Sequence, residues 1–214
     1  MTDEWRVDSA DLIAEILGQP VTGIAAKLAD RLDAVCRDFI AQSPLILVST
    51  VDTAGRLDVS PKGDAPGFCH VADDQTLLLP DRKGNKLAFG FKNILETGRI
   101  GLLFLLPGVR ETLRINRSAE ITRDPALLSR LSAQGQPALL CTRIHVEECF
   151  LHCGKALIRS KLWQPESWQE PPDVSFGRQM RDKAIESGSP ASDADRGKNL
   201  VNELAEQSYR DELY

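Results

Sequence analysis

No apolar segment of this chain is longer than a β-strand, and that bounds its fold more tightly than any single motif. The longest, residues 100–107 (IGLLFLLP), falls well short of the roughly 18 residues of a membrane-spanning helix. These short segments also come in neighbouring pairs. Residues 44–51 (PLILVSTV) run into the turn Asp52-Thr53-Ala54-Gly55 and a return segment at 57–60. Residues 99–106 run into Pro107-Gly108-Val109-Arg110 and an alternating stretch at 111–122, with Leu113, Ile115, Ala119 and Ile121 on one face. Apolar run, turn and returning run are the signature of a β-hairpin. With further strands at 76–79 and 138–146, about six are expected, mostly joined by hairpins. A doubly wound sheet alternates strand and helix instead. The expectation is therefore a mainly β, α+β chain: an antiparallel barrel with helical decoration.

Helical spacing predicts the decoration. Residues 8–18 and 22–41 read as two helices, the second carrying Ile24, Leu28, Leu32, Val35 and Phe39 at helical intervals. Ser43-Pro44 ends it, because a residue before proline avoids the α region. Residues 61–67 read as a polar loop, 85–96 as a helix, and 124–135 as a short helix with Asp124 as N-cap and Pro125 at its first position. Residues 147–162 read as a helix opened by acidic residues. The 214 residues fit one domain with appendages: a helical extension over 1–42, the barrel over 43–163, and a polar arm or partly disordered tail over 164–214.

The net charge of -5 and pI of about 5.3 argue against nucleic acid as the main partner, which would need a broad basic face. No membrane span and no secretory signal are expected. The five cysteines match no disulfide framework, which favours a reducing cytoplasm. Cys69, His70, His145, Cys149, His152 and Cys153 lack the spacing of a structural zinc site, so no metal is expected. Nothing marks one cysteine as an activated nucleophile.

Against this acidic background a local cationic cluster carries weight. Leu77-Leu78-Leu79-Pro80 is followed by Asp81-Arg82-Lys83-Gly84-Asn85-Lys86, where an apolar strand stops at a proline and a helix is expected to start. Cations oppose the positive end of a helix. Arg82, Lys83 and Lys86 make sense there if a phosphate sits between them and the backbone N–H groups. Ser60-Pro61-Lys62-Gly63-Asp64 leaves a strand end with a hydroxyl, a cation and a glycine in succession, as either a solvated turn or a ligand rim. In 149–163, Lys155, Arg159, Lys161 and Trp163 add cations and a large aromatic, as either a solvated basic face or a ligand wall. The G-x-G-x-x-G, P-loop and G-x-S-x-G patterns are absent.

Taken in order, the hairpin 45–60 with Ser60-Pro61-Lys62-Gly63-Asp64, the 79–86 segment, Asn93-Ile94-Leu95-Glu96, the 101–116 segment and 150–163 resemble the flavin-binding proteins related to pyridoxamine 5'-phosphate oxidase, over about residues 40–165. Within that family the chain resembles the uncharacterised predicted flavin-nucleotide-binding branch. The resemblance implies a split β-barrel and a homodimer with one FMN in each of two clefts between subunits. Arg82, Lys83, Asn85 and Lys86 would hold the phosphate, with Lys62. Val59, Ser60 and Pro61 would line the isoalloxazine, and Lys62 would meet its N1/O2 edge. Arg114, Lys155, Ser160 and Trp163 would come from the partner subunit. The implied activity is an FMN-dependent oxidoreductase acting on a small molecule with a nicotinamide reductant. The alternatives are a flavin carrier or sensor without turnover, or a split barrel binding a deazaflavin or haem, for which His70, His145 and His152 are the candidate ligands. Pyridoxamine phosphate oxidases carry an arginine and a histidine in a C-terminal strand. Here no histidine follows His152, which puts vitamin B6 oxidation in doubt.

Overall fold

The structure, a computed structural model, describes residues 5–19, 21–84 and 86–214. Seven strands form one antiparallel sheet: β1 (Leu45–Val51), β2 (Leu57–Gly63), β3 (His70–Val71), β4 (Thr76–Asp81), β5 (Arg99–Leu105), β6 (Thr112–Thr122) and β7 (Leu140–His152). Their order across the sheet is β2-β1-β5-β6-β7-β4-β3. β2 and β3 form the two edges and do not pair with each other, so the barrel is split rather than closed. The alternation in β1 turns Ile46, Val48 and Thr50 inward. They join Phe104, Leu113, Ile115 and Ile144 in the core, capped by Phe39 and Ile40 of helix α2 (Ala34–Gln42), which follows helix α1 (Ala10–Leu17) in the chain.

Three expectations are corrected by strand pairing. The two-residue β3 brings the strands from about six to seven. The other two concern prolines. Pro61 lies inside β2 opposite Leu47, and Pro80 lies inside β4 opposite Cys141. Proline has no N–H for a ladder, so it sits in a strand only where that side is open. β2 is an edge strand, and β3 covers β4 only at Leu77 and Leu78, leaving Pro80 unflanked. Residues 61–63 are thus strand rather than loop, and β4 runs through its proline to Asp81.

The largest correction is at 147–152, expected as helix and found as the second half of β7. Arg117 of β6 opposes Val146, whereas Asn116 opposes Glu148, leaving Glu147 as an extra residue. This β-bulge moves the inward phase by one residue. Ile144 and Val146 are buried before it, and Cys149 after it. The shift breaks the period-two pattern, and the two glutamates then imitate a helix start. Both find partners across the sheet: Glu147 pairs with Arg117, and Glu148 accepts from Asn116 Nδ2 at 2.7 Å. Only Lys155–Ser160 of that stretch is helical.

The segment 22–41 likewise divides. A 3-10 turn covers Ile24–Lys27, and Ala29 then exchanges backbone hydrogen bonds with Cys149. Asp33 restarts the helix by accepting from the Cys36 N–H at 2.8 Å. Residues 173–214 form helices at Phe176–Glu186 and Ala191–Asp211, which pack antiparallel. Gly177 donates its N–H to Asn202 at 3.0 Å, and Arg181 pairs with Asp195 at 2.5 Å. Charge pairs and a glycine contact leave little hydrophobic periodicity for a sequence reading to find. Among the described residues, no helix is long and apolar enough to cross a membrane.

Gly154, between β7 and the helix Lys155–Ser160, lies against the turn after β5. A Cβ there would sit 2.7 Å from Arg110 Cβ and 2.8 Å from its carbonyl oxygen. Gly154→Ala is expected to cost about 1–3 kcal/mol by overpacking, read as a lower urea midpoint at unchanged m-value.

Candidate functional site

A cavity of about 600 Å³ opens where the split sheet curls back on itself, within the range of small-molecule sites. Its floor is apolar: Val48, Phe68, Leu79, Ile94 and Ile100. Asp58, Ser60 and Lys62, at alternate positions of β2, line one side. Asp81, Arg82, Lys83 and Lys86 line the other, with Phe89, Gly90 and Phe91 closing the top. These last three open helix α3 (Phe89–Thr97).

Four strands separate β2 from β4 in the sheet, yet side chains join them. Lys62 Nζ donates to Asp81 Oδ1 at 2.5 Å, and Arg82 Nε donates to Asp64 Oδ2 at 2.9 Å. The second pair is deeply buried, its side chains 3% and 16% exposed for Asp64 and Arg82. Lys62 also lies 5.2 Å from the Phe91 ring centroid, a cation–π distance. Asn93 Nδ2 donates to Thr50 Oγ1 at 3.0 Å in the buried wall.

Arg82 is the site's unbalanced group. Its Nη1 is buried and has no partner among the described residues. A buried N–H without an acceptor costs roughly 1–3 kcal/mol. A phosphate oxygen, planar-matched and charged, is the kind of acceptor that removes this cost. The following loop is strained: Lys86 and Ala88 both take left-handed backbone, with φ of 59° and 57°. That conformation costs a residue with a Cβ roughly 1–2 kcal/mol, and such strain collects at binding sites.

The expected helix start at residue 85 is corrected by this loop. α3 begins at Phe89, its N-cap Ala88 offers no side-chain acceptor, and Asp58 Oδ2 lies 3.4 Å from where a Gly90 Cβ would be. The cations therefore belong to the end of β4 and its loop, and a carboxylate already faces the helix start. Of the residues singled out in sequence, Ser60, Pro61, Lys62, Arg82, Lys83 and Lys86 line the cavity. Asn85 lies outside the described residues. Val59, at an alternating position of β2, is 64% exposed and does not line it. Nor do Arg114, Lys155, Ser160 and Trp163. Arg114 lies over Phe150 at 5.7 Å, Ser160 Oγ donates to the Leu157 carbonyl at 3.2 Å, and Trp163 Nε1 donates to the Val109 carbonyl at 2.8 Å. Lys155 is exposed at the start of its helix.

The sequence reading missed Thr50, Asp58, Phe91 and Glu212 as lining residues. Asp58 was readable from its period-two spacing with Ser60 and Lys62, but nothing local flagged Glu212. The three histidines are exposed and none lines the cavity. All five cysteines are free. Burial pushes the Cys141 thiol up to about 11 and, with Asp33, the Cys36 thiol to about 12, so neither is a nucleophile at neutral pH.

Burial alone would raise the Asp64 carboxyl. Arg82, the Ala65 N–H and the Tyr214 hydroxyl outweigh it and hold the group below its ordinary range. Its interactions therefore stabilise the fold above the unfolded value of about 3.9 and are lost as pH falls through the lower folded value. Asp64→Asn is expected to cost about 3–5 kcal/mol at neutral pH, the scale of removing one partner of a buried pair, and progressively less as pH falls through the lowered folded value and the wild-type carboxyl is protonated too. Acid titration of both melting temperatures checks it.

Comparison with known proteins places this architecture. No curated protein sequence matches the chain. HupZ of Group A Streptococcus is 22% identical over 56% of this chain and 93% of its own, with a TM-score of 0.46. A putative pyridoxamine 5'-phosphate oxidase of Lactobacillus delbrueckii is 18% identical over 57% of this chain and 95% of its own, with a TM-score of 0.45. A FAD-binding protein of Mesorhizobium loti is 14% identical over 58% and 98%, with a TM-score of 0.37. The profile of the pyridoxamine 5'-phosphate oxidase family matches residues 32–153, more than half of the chain and every strand of the sheet. The chain belongs to the pyridoxamine 5'-phosphate oxidase family.

Proposed function

We propose that the chain binds FMN in the cavity between β2 and β4 and serves as a flavin-dependent oxidoreductase for a small molecule. The observation that carries this reading is the buried, unpartnered Nη1 of Arg82 at the edge of a cavity that also holds Lys62, Lys83 and Lys86. Arg82 would take the phosphate as a bidentate partner, with Lys83 and Lys86 raising the local potential. Ser60 supplies a hydroxyl and Lys62 a cation toward the electron-poor ring, and Val48, Leu79 and Ile100 exclude water beneath it. Flavin itself supplies hydride or electron transfer when bound, so no catalytic side chain is required of the protein for that step. The lack of histidine in the described wall supports flavin over haem, whose iron takes an axial ligand.

The proposal includes a homodimer, in the cytoplasm, in which Arg114, Lys155, Ser160 and Trp163 complete the partner's cavity. It is supported by their place off the cavity of their own chain and by Leu57 and Val59, large apolar residues left exposed on β2.

The purified protein is expected to show a flavin spectrum, or to acquire one with added FMN, and to bleach with NADH or NADPH. A flavin that stays oxidised with every nicotinamide favours a carrier, and a Soret band sinks the flavin reading. Arg82→Ala combined with Lys86→Ala is expected to weaken FMN by about a hundredfold or more, since each hydrogen bond to a charged group is worth about 1.5–3 kcal/mol. Riboflavin, which lacks the phosphate, should bind nearly as before. Equal losses for the two ligands, measured by fluorescence titration, remove the phosphate role.

A further inference from the structure

The long helix Ala191–Asp211 delivers residues 212–214 to the mouth of the cavity. Glu212 forms part of its wall. The Tyr214 hydroxyl donates to Asp64 Oδ1 at 3.0 Å, across 150 positions of sequence. The other oxygen of that carboxylate receives Arg82 Nε. One buried carboxylate therefore holds both the main phosphate candidate and a tyrosine from outside the sheet. The contact is energetically coupled: it helps lower the Asp64 carboxyl and raises the Tyr214 phenol.

Arg82 Nη1 is sealed from solvent in this conformation, so an anion reaches it only after a neighbour moves. β2 and β4 are held by backbone ladders. Residues 212–214 are not: among the described residues, Glu212 bonds back to Ser208 of its own helix. Among the described contacts, the Tyr214–Asp64 hydrogen bond is the one that fastens the segment to the sheet. The segment can therefore move without breaking a backbone ladder. Glu212 adds a negative group at the mouth, which disfavours passage of a phosphate while the segment is down.

We propose that residues 212–214 are a latch over the phosphate end of the cavity, with Tyr214 as the catch and Asp64 as its keeper. This rests on the FMN reading above. Opening breaks the Tyr214–Asp64 bond and exposes Arg82. Closing restores the bond, which keeps Asp64 on Nε and leaves the two Nη groups for the phosphate. Tyr214 is thus a positioning and gating residue that acts through Asp64.

Stopped-flow fluorescence of the full chain with FMN and with riboflavin tests the latch. In Tyr214→Phe, FMN association and dissociation should both accelerate by about tenfold or more, the scale set by losing one hydrogen bond to a charged group. Riboflavin rates should change far less, since riboflavin does not need Arg82 exposed, and the melting temperature should fall only by the small amount that one lost hydrogen bond sets. A tyrosine that merely supports the fold would slow association or alter both ligands alike, and either result overturns the latch. So do unchanged FMN rates in a wild type that clearly prefers FMN to riboflavin, while the phosphate reading survives. A wild type that binds the two ligands equally overturns both.

Discussion

Two ion pairs across an open seam organise this protein. A seven-stranded sheet with unpaired edges could splay apart, because nothing in its backbone ladder links β2 to β4. Lys62–Asp81 and Asp64–Arg82 supply that link with side chains. They differ in weight. The Asp64–Arg82 pair is largely out of water, where removing one partner typically costs about 3–5 kcal/mol. Lys62–Asp81 is partly solvated and therefore contributes less. Joining the seam with side chains rather than a ladder also leaves room between the strands, and the cavity occupies that room. Closure of the fold and construction of the site are the same event.

The seam explains the placement of several otherwise awkward residues. Pro61 and Pro80 are tolerated because each pairs on one side only, with Leu47 and Cys141, and leaves the other side of its strand without a ladder. Gly90 lets the first turn of α3 settle near Asp58 and Thr50. The left-handed Lys86 and Ala88 turn the chain from the end of β4 into α3 across the cavity. Each is a local concession that a regular strand or helix would not make, and each lies beside the same cavity. The remaining tension is the buried Arg82 Nη1, which the fold leaves without an acceptor among the described residues.

Much of the sheet was legible in the sequence because its signals are local. The hairpin at 44–60 and the segments at 99–106 and 111–122 carry apolar runs with turn residues between them, and all are strands at those places. Reading failed where the deciding partner was distant. The bulge at Glu147 is fixed by the register against Asn116 and Arg117, and without it the Glu147-Glu148 pair resembles a helix start. The break before Asp33 depends on Ala29 pairing with Cys149. The two helices of residues 173–214 meet through the Arg181–Asp195 pair and the Gly177–Asn202 hydrogen bond, with Lys198 pairing to Asp173 just ahead of the first, contacts that leave little periodicity in either alone.

The site divides in the same way. The sequence by itself determined that Arg82, Lys83 and Lys86 are clustered, that the return arm of the first hairpin runs into Ser60-Pro61-Lys62, and that an acidic chain concentrates cations at these places. Charge and short-range spacing are local properties, so they survive without a fold. Only the tertiary structure decided that these two segments face one cavity, that Asp64 and Asp81 hold their cations in place, that Val59 turns away, and that Tyr214 reaches Asp64 from the far end of the chain. Those relations depend on how the sheet curls and which edge meets which. Both are set by packing and register summed over all seven strands, and no short stretch of sequence carries them.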